Sequence, residues 1–126
     1  MKEHRKFNRL PIPMQIEYQV FHRHSLIKTF CMNISGGGLC FKSELCFNKG
    51  DKIKTYIYFR NDFDPVVFMS QVVWCKKEML NRKAVFTVGV KYIKMDKKHR
   101  ERFVFNFGEM MLNYFLPSGK AKKVKK

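Results

Sequence analysis

Acidic residues are scarce in this chain: 10 Asp plus Glu stand against 26 Lys plus Arg, a formal charge of +16 over 126 residues. Such a balance favours anionic partners, whether nucleotides, nucleic acid, acidic lipid or an acidic protein face. No uncharged apolar run of about 18 residues occurs, so no membrane span is expected. The Met-Lys-Glu-His start leads into no apolar segment of signal-peptide type, so the expected compartment is the cytoplasm. Cys31, Cys40, Cys46 and Cys75 form no C-x-x-C pair and have no histidine at zinc-finger spacing, which argues against a structural metal and for free thiols. His22 and His24 flank Arg23 without a local carboxylate or cysteine, and read as exposed turn histidines. The motifs G-x-S-x-G, H-E-x-x-H and G-x-x-x-x-G-K-[ST] are absent, and Asp62 and Asp64 make no convincing acid/base pair. No enzyme, no metal and no cofactor are expected.

The chain does have the means to build a core: hydrophobic residues make up 45% and aromatics 15%, with 13 phenylalanines. This length fits one domain. Met14, Ile16, Tyr18 and Val20 alternate with Gln15, Glu17 and Gln19, the period-two pattern of a half-buried strand. Further strand-like runs cover Leu26 to Met32, Leu39 to Lys42, Ile53 to Phe59, Val66 to Cys75 and Ala84 to Ile93, with a charged loop expected at Lys76 to Lys83. Short strands at near-regular spacing indicate a sandwich or a closed barrel, and a barrel also removes exposed edges. The period then changes. Asp96 can cap a helix, and Phe103, Phe107, Met110 and Tyr114 recur on one helical face, widened by Val104, Met111 and Phe115. The expected organisation is an N-terminal arm over residues 1–12, a barrel plus C-terminal helix over 13–116, and a basic tail over 117–126.

Two short stretches carry the chemistry. Arg5-Lys6-Phe7-Asn8-Arg9 places two guanidinium groups four residues apart, and Leu10-Pro11-Ile12-Pro13 holds the following backbone extended. Guanidinium binds phosphate or a guanine edge in bidentate fashion and stacks on a base, which lysine cannot do. Asn33-Ile34-Ser35-Gly36-Gly37-Gly38 offers an amide and a hydroxyl two apart on an extended segment, followed by glycines. Taken alone, the first reads as surface charge and the second as an Asx turn entering a glycine bend. Together, in this order, they describe a site for a phosphorylated guanine compound.

The pair RxxxR and [D/N]xSxxG resembles the signature of PilZ domains, bacterial receptors for cyclic di-GMP. Gly50-Asp51, Val72-Val73-Trp74 and Gly89-Val90-Lys91-Tyr92 also look like recurrent positions of that family, so the resemblance spans roughly residues 4 to 115. It implies a mainly β fold, a six- to seven-stranded antiparallel barrel with a C-terminal α-helix. It implies cyclic di-GMP as ligand, held by Arg5, Arg9, Asn33, Ser35 and Gly38, with His4 close enough to influence how many nucleotides stack. Trp74 is expected to fill the barrel end instead of facing the ligand. As a stand-alone domain the chain resembles adaptors that rearrange the arm on binding and signal to a downstream protein. Two alternatives remain on the residues: a basic barrel holding single-stranded nucleic acid through exposed Tyr56 and Tyr58, or a protein-interaction module without nucleotide. The lysines of Lys120 to Lys126 are expected to give weak contact with polyanions.

Overall fold

The alternating segments pair in the way their periodicity requires. The computed structural model describes residues 9–10, 14–20, 26–60 and 62–115. Its strands are β1 (Arg9–Leu10), β2 (Met14–Val20), β3 (Ile27–Ser35), β4 (Gly38–Ser43), β5 (Lys52–Ile57), β6 (Val66–Leu80) and β7 (Lys83–Lys94), followed by the helix α1 (Lys97–Phe115). Among the described residues, six antiparallel strands run in the order β3, β2, β5, β6, β7, β4 and close through a β4–β3 pairing, while β1 adds to β3. Closure removes the free edges that an open sheet of this polarity would expose. No described helix is long and apolar enough to cross a membrane. The expected tail and most of the expected arm, including His4 and Arg5, lie outside the described residues, as do His22 and His24.

Inward residues of every barrel strand meet in one core. Ile16, Tyr18, Ile34, Phe41, Ile53, Ile57, Val66, Val72 and Val88 are fully buried there. Tyr18 stays in an apolar interior because its hydroxyl pairs with Ser43 Oγ at 2.9 Å, which satisfies both polar atoms. On the outer face Glu17 is also buried, accepting a 2.6 Å hydrogen bond from Tyr58. Tyr56 and Tyr58 are therefore not the exposed stacking pair expected of a nucleic-acid barrel; both are half-buried, and the Tyr58 hydroxyl is committed to Glu17.

Two further expectations need correction in this part of the fold. The charged loop at Lys76 to Lys83 is instead a continuation of β6 and β7, paired down to Leu80 opposite Lys83. Asn81 and Arg82 make the turn with φ of 53° and 65°, the left-handed pair that matches the twist of a two-residue hairpin. Beyond the core this ribbon is solvated, so its charged residues need no burial, and Lys42 reaches across to Glu78 at 2.7 Å. The helix begins as expected, with Asp96 Oδ1 accepting the His99 N–H at 3.1 Å. Phe103 and Phe107 are buried, and Phe103 also meets Phe59 and Tyr92 edge-on. The expected apolar stripe stops at Met110 and Met111, however; Val104, Tyr114 and Phe115 are exposed because the last turn runs past the barrel and Val104 points off its face.

Candidate functional site

Gly36 and Gly37 connect β3 to β4, and the geometry of the turn Ser35-Gly36-Gly37-Gly38 is set by hydrogen bonds from two directions. Ser35 Oγ accepts the N–H groups of Gly37 and Gly38 and donates to Gly38 O, each at 3.1 Å. The hydroxyl thus shapes the turn, as serine does at bends. From β7, the Tyr92 hydroxyl lies 2.9 Å from Ser35 O and 3.2 Å from Gly38 O, and the Tyr92 N–H donates to Gly37 O at 3.0 Å. Burial pushes the Tyr92 phenol well above its ordinary value, so it remains a donor at physiological pH. Gly38 has a steric reason of its own: a Cβ there would lie 2.1 Å from Val90 O. Glycine lets β4 start against the β7 backbone.

This turn forms one wall of a cavity of about 530 Å³. The opposite wall comes from a bulge in β6. Val72 pairs with Val90 and Trp74 pairs with Gly89, leaving Val73 as the extra residue. A bulge of this kind re-aims the side chains beside it. Trp74 consequently lies in the cavity wall, 38% exposed, instead of filling the barrel end. Its ring rests over Gly89, where a Cβ would fall 2.4 Å from the indole, so only glycine at 89 allows this orientation.

Asn33, Ser35 and Gly38 all line the cavity. Arg9 comes to the same place through the backbone: in the β1–β3 pairing Arg9 is opposite Ser35 and Leu10 opposite Ile34. The end of RxxxR and the centre of NxSxxG are therefore cross-strand neighbours. The cavity offers a flat indole face, an amide, glycine backbone and Lys91, whose ammonium is the one formal charge among the described lining residues. A planar heteroaromatic anion fits such a wall, although one lysine supplies little charge for two phosphates. Among the described residues no three His, Cys, Asp or Glu side chains converge as metal ligands would. A second cavity, of about 580 Å³, has Lys42 in its wall, but that ammonium is engaged by Glu78 and by Thr87 Oγ1 at 2.8 Å.

Val73, Trp74, Lys91 and Tyr92 are among the lining residues that the sequence motifs did not place in the site. Their segments were visible as family-like positions, but neither the bulge that turns Trp74 outward nor the reach of the Tyr92 hydroxyl has a signature in the residue pattern.

Comparison with known proteins completes the description. The sequence model of the PilZ domain matches residues 3–106. No curated protein matches in sequence. Among solved structures, the PilZ domain of YcgR from Escherichia coli, determined with c-di-GMP, superposes with a TM-score of 0.65 at 12% identity, covering 97% of this chain and 100% of that one. The MrkH–c-di-GMP complex of K. pneumonia gives 0.70 at 9% identity, covering 94% and 56%. The Bacillus subtilis inhibitor of motility MotI gives 0.64 at 16% identity, covering 87% and 52%. This chain thus spans about half the length of MotI and of MrkH. At these identities the likenesses establish the fold.

Proposed function

Because this chain belongs to the PilZ domain family, we propose that it is a cytoplasmic receptor for cyclic di-GMP that binds without turnover and hands the signal to a protein partner. The observation that carries this reading is the backbone pairing of Arg9 with Ser35, a residue that lines a cavity walled by Trp74. In this reading Arg5 and Arg9 supply the guanidinium forks for phosphate and the guanine edge, with His4 beside them. Asn33 reads a base edge, and its amide both donates and accepts. Ser35 and Gly38 keep the turn close enough for backbone contact, and Trp74 offers its face to a guanine. Lys91 adds charge near the phosphates. Binding ties the N-terminal arm to the barrel, and the surface so altered is what a partner reads; ordering the arm opposes affinity by about 1–2 kcal/mol per backbone residue fixed.

Trp74 is the single tryptophan of the chain, so its emission reports on this cavity alone. Titration with cyclic di-GMP is expected to quench or shift that emission saturably, and GTP or a short oligonucleotide at equal phosphate concentration is not. Trp74→Phe, which keeps a stacking ring, should retain most of the affinity measured by calorimetry, whereas Trp74→Ala should lose roughly 5- to 100-fold, the range for one base–aromatic contact. Unchanged emission through a calorimetrically proven binding event would remove Trp74 from the site.

A further inference from the structure

The helix α1 is apolar on two sides. One side faces the barrel, where Phe103 and Phe107 are buried beside Asn106. The other carries Val104, Phe105, Leu112 and Phe115, which are 50–64% exposed. At about 100° per residue these four project away from the barrel, together with Gly108. Phe105, Gly108, Leu112 and Phe115 follow one another at intervals of 3, 4 and 3 residues, the alternating spacing of a coiled-coil seam. Gly108 sets this face apart from a chance scatter of apolar residues. At Gly38 and Gly89 a Cβ would strike a neighbour within the chain, whereas nothing lies within 4 Å of the place a Cβ would take at Gly108. The glycine weakens the helix relative to alanine, and no contact inside the chain requires it. A close approach from outside the chain would.

We propose that this face is the seam of a symmetric dimer, in which α1 of one copy packs antiparallel on α1 of a second copy. The pattern is self-complementary in that direction only. Antiparallel apposition centred near Met110 sets Phe105 opposite the partner's Phe115 and Gly108 opposite the partner's Leu112, so that the leucine fills the space over the glycine. Parallel apposition would set glycine on glycine and leave a void at that layer. The four apolar side chains leave roughly 400 Å² per copy in water, within the range of the largest patch that a monomer usually shows. Two copies, with the flanking stems of Glu101, Glu109 and Met111, cover about 1,200 Å², the low end of specific interfaces, which sets a dimer of micromolar strength. The charge of +16 on each copy opposes the contact, so salt strengthens it, the reverse of a polyanion contact. No described residue of α1 lines the cavity of about 530 Å³, so the dimer does not depend on the nucleotide reading.

Sedimentation velocity of the full chain from about 1 to 200 μM at physiological salt is expected to show a monomer passing to a dimer, and more dimer as salt is raised. Phe105→Glu and Phe115→Lys, each alone, should stay monomeric through that range. Their helical circular dichroism should match the parent's, because both positions face solvent in the single chain. Mixed in equal amounts, the two variants should recover the dimer: antiparallel pairing sets the introduced carboxylate on the introduced ammonium and keeps one Phe–Phe layer. Gly108→Gln, which favours helix but fills the seam, should melt higher than the parent as a monomer and lose the dimer. The proposal fails if the parent sediments as a monomer throughout, which leaves the face to a different protein or to solvent. It fails equally if the single variants dimerise like the parent, or if their mixture stays monomeric, which excludes the antiparallel seam.

Discussion

Tyr92 holds the glycine turn by its hydroxyl, and this makes it a positioning residue for the site rather than a ligand contact. Tyr92→Phe keeps the ring and its packing on Phe68 and Phe103 but leaves the Ser35 carbonyl without this donor. We expect the melting temperature without ligand to fall by several degrees, as a loss of about 1 kcal/mol does in a chain this size, together with weaker nucleotide binding. Arg9→Ala should behave in the opposite manner: binding weakened roughly 10- to 100-fold and melting nearly unchanged, since a charge-assisted hydrogen bond is worth about 1.5–3 kcal/mol. Differential scanning fluorimetry beside calorimetry separates the two, and a Tyr92→Phe protein that melts like the parent would show that the turn holds itself. The motif residues were legible at this scale because amide, hydroxyl and glycine chemistry is local. Trp74 was not, because its direction depends on Val73 being an extra residue between Val72 and Trp74, and a bulge leaves no mark in hydrophobic alternation.

At the scale of elements, α1 is fastened to the barrel by a polar tether as well as by its phenylalanines. Arg102 Nε and Asn106 Nδ2 donate to Asp62 Oδ2 at 3.1 and 3.0 Å, and Arg102 also reaches the carbonyls of Asp64 and Pro65. Partial burial alone would raise the Asp62 carboxyl, but the hydrogen bonds from Arg102 and Asn106 and the Arg102 charge outweigh it and lower the group below its ordinary value. A carboxyl depressed on folding contributes stability that is present above its unfolded pKa of about 3.9 and is lost as pH falls through the lower folded value. Asp62→Asn should therefore melt below the parent at neutral pH, with the gap narrowing as pH drops under about 4. A gap constant from neutral to strongly acidic pH would mean that the ion pair is not what Asp62 contributes. The strands of the barrel and the Asp96 cap were readable from period and capping chemistry. The β6–β7 ribbon was not, because charged residues on a two-stranded extension resemble a loop when no glycine marks the turn, and the Asp62 tether joins residues 40 and 44 positions apart in sequence.

For the whole molecule, closing the sheet between β3 and β4 sets the site, since that closure brings the glycine turn against Gly89–Tyr92 while β1 pairs with the same end of β3. A formal charge of +16 ensures that many polyanions will associate at low salt, so affinity for an anion is not by itself support for a receptor. Specific recognition differs in its salt response: non-specific association weakens steeply with ionic strength in proportion to the charges neutralised, whereas stacking and base-edge hydrogen bonds persist. The decisive experiment is isothermal titration of the full chain with cyclic di-GMP at physiological salt, with GTP and a short oligonucleotide run identically. The account predicts a saturable isotherm of defined stoichiometry for cyclic di-GMP alone, lost or much weakened in the Arg5→Ala, Arg9→Ala double variant. Heats that appear equally with all three anions and vanish together as salt is raised would contradict it.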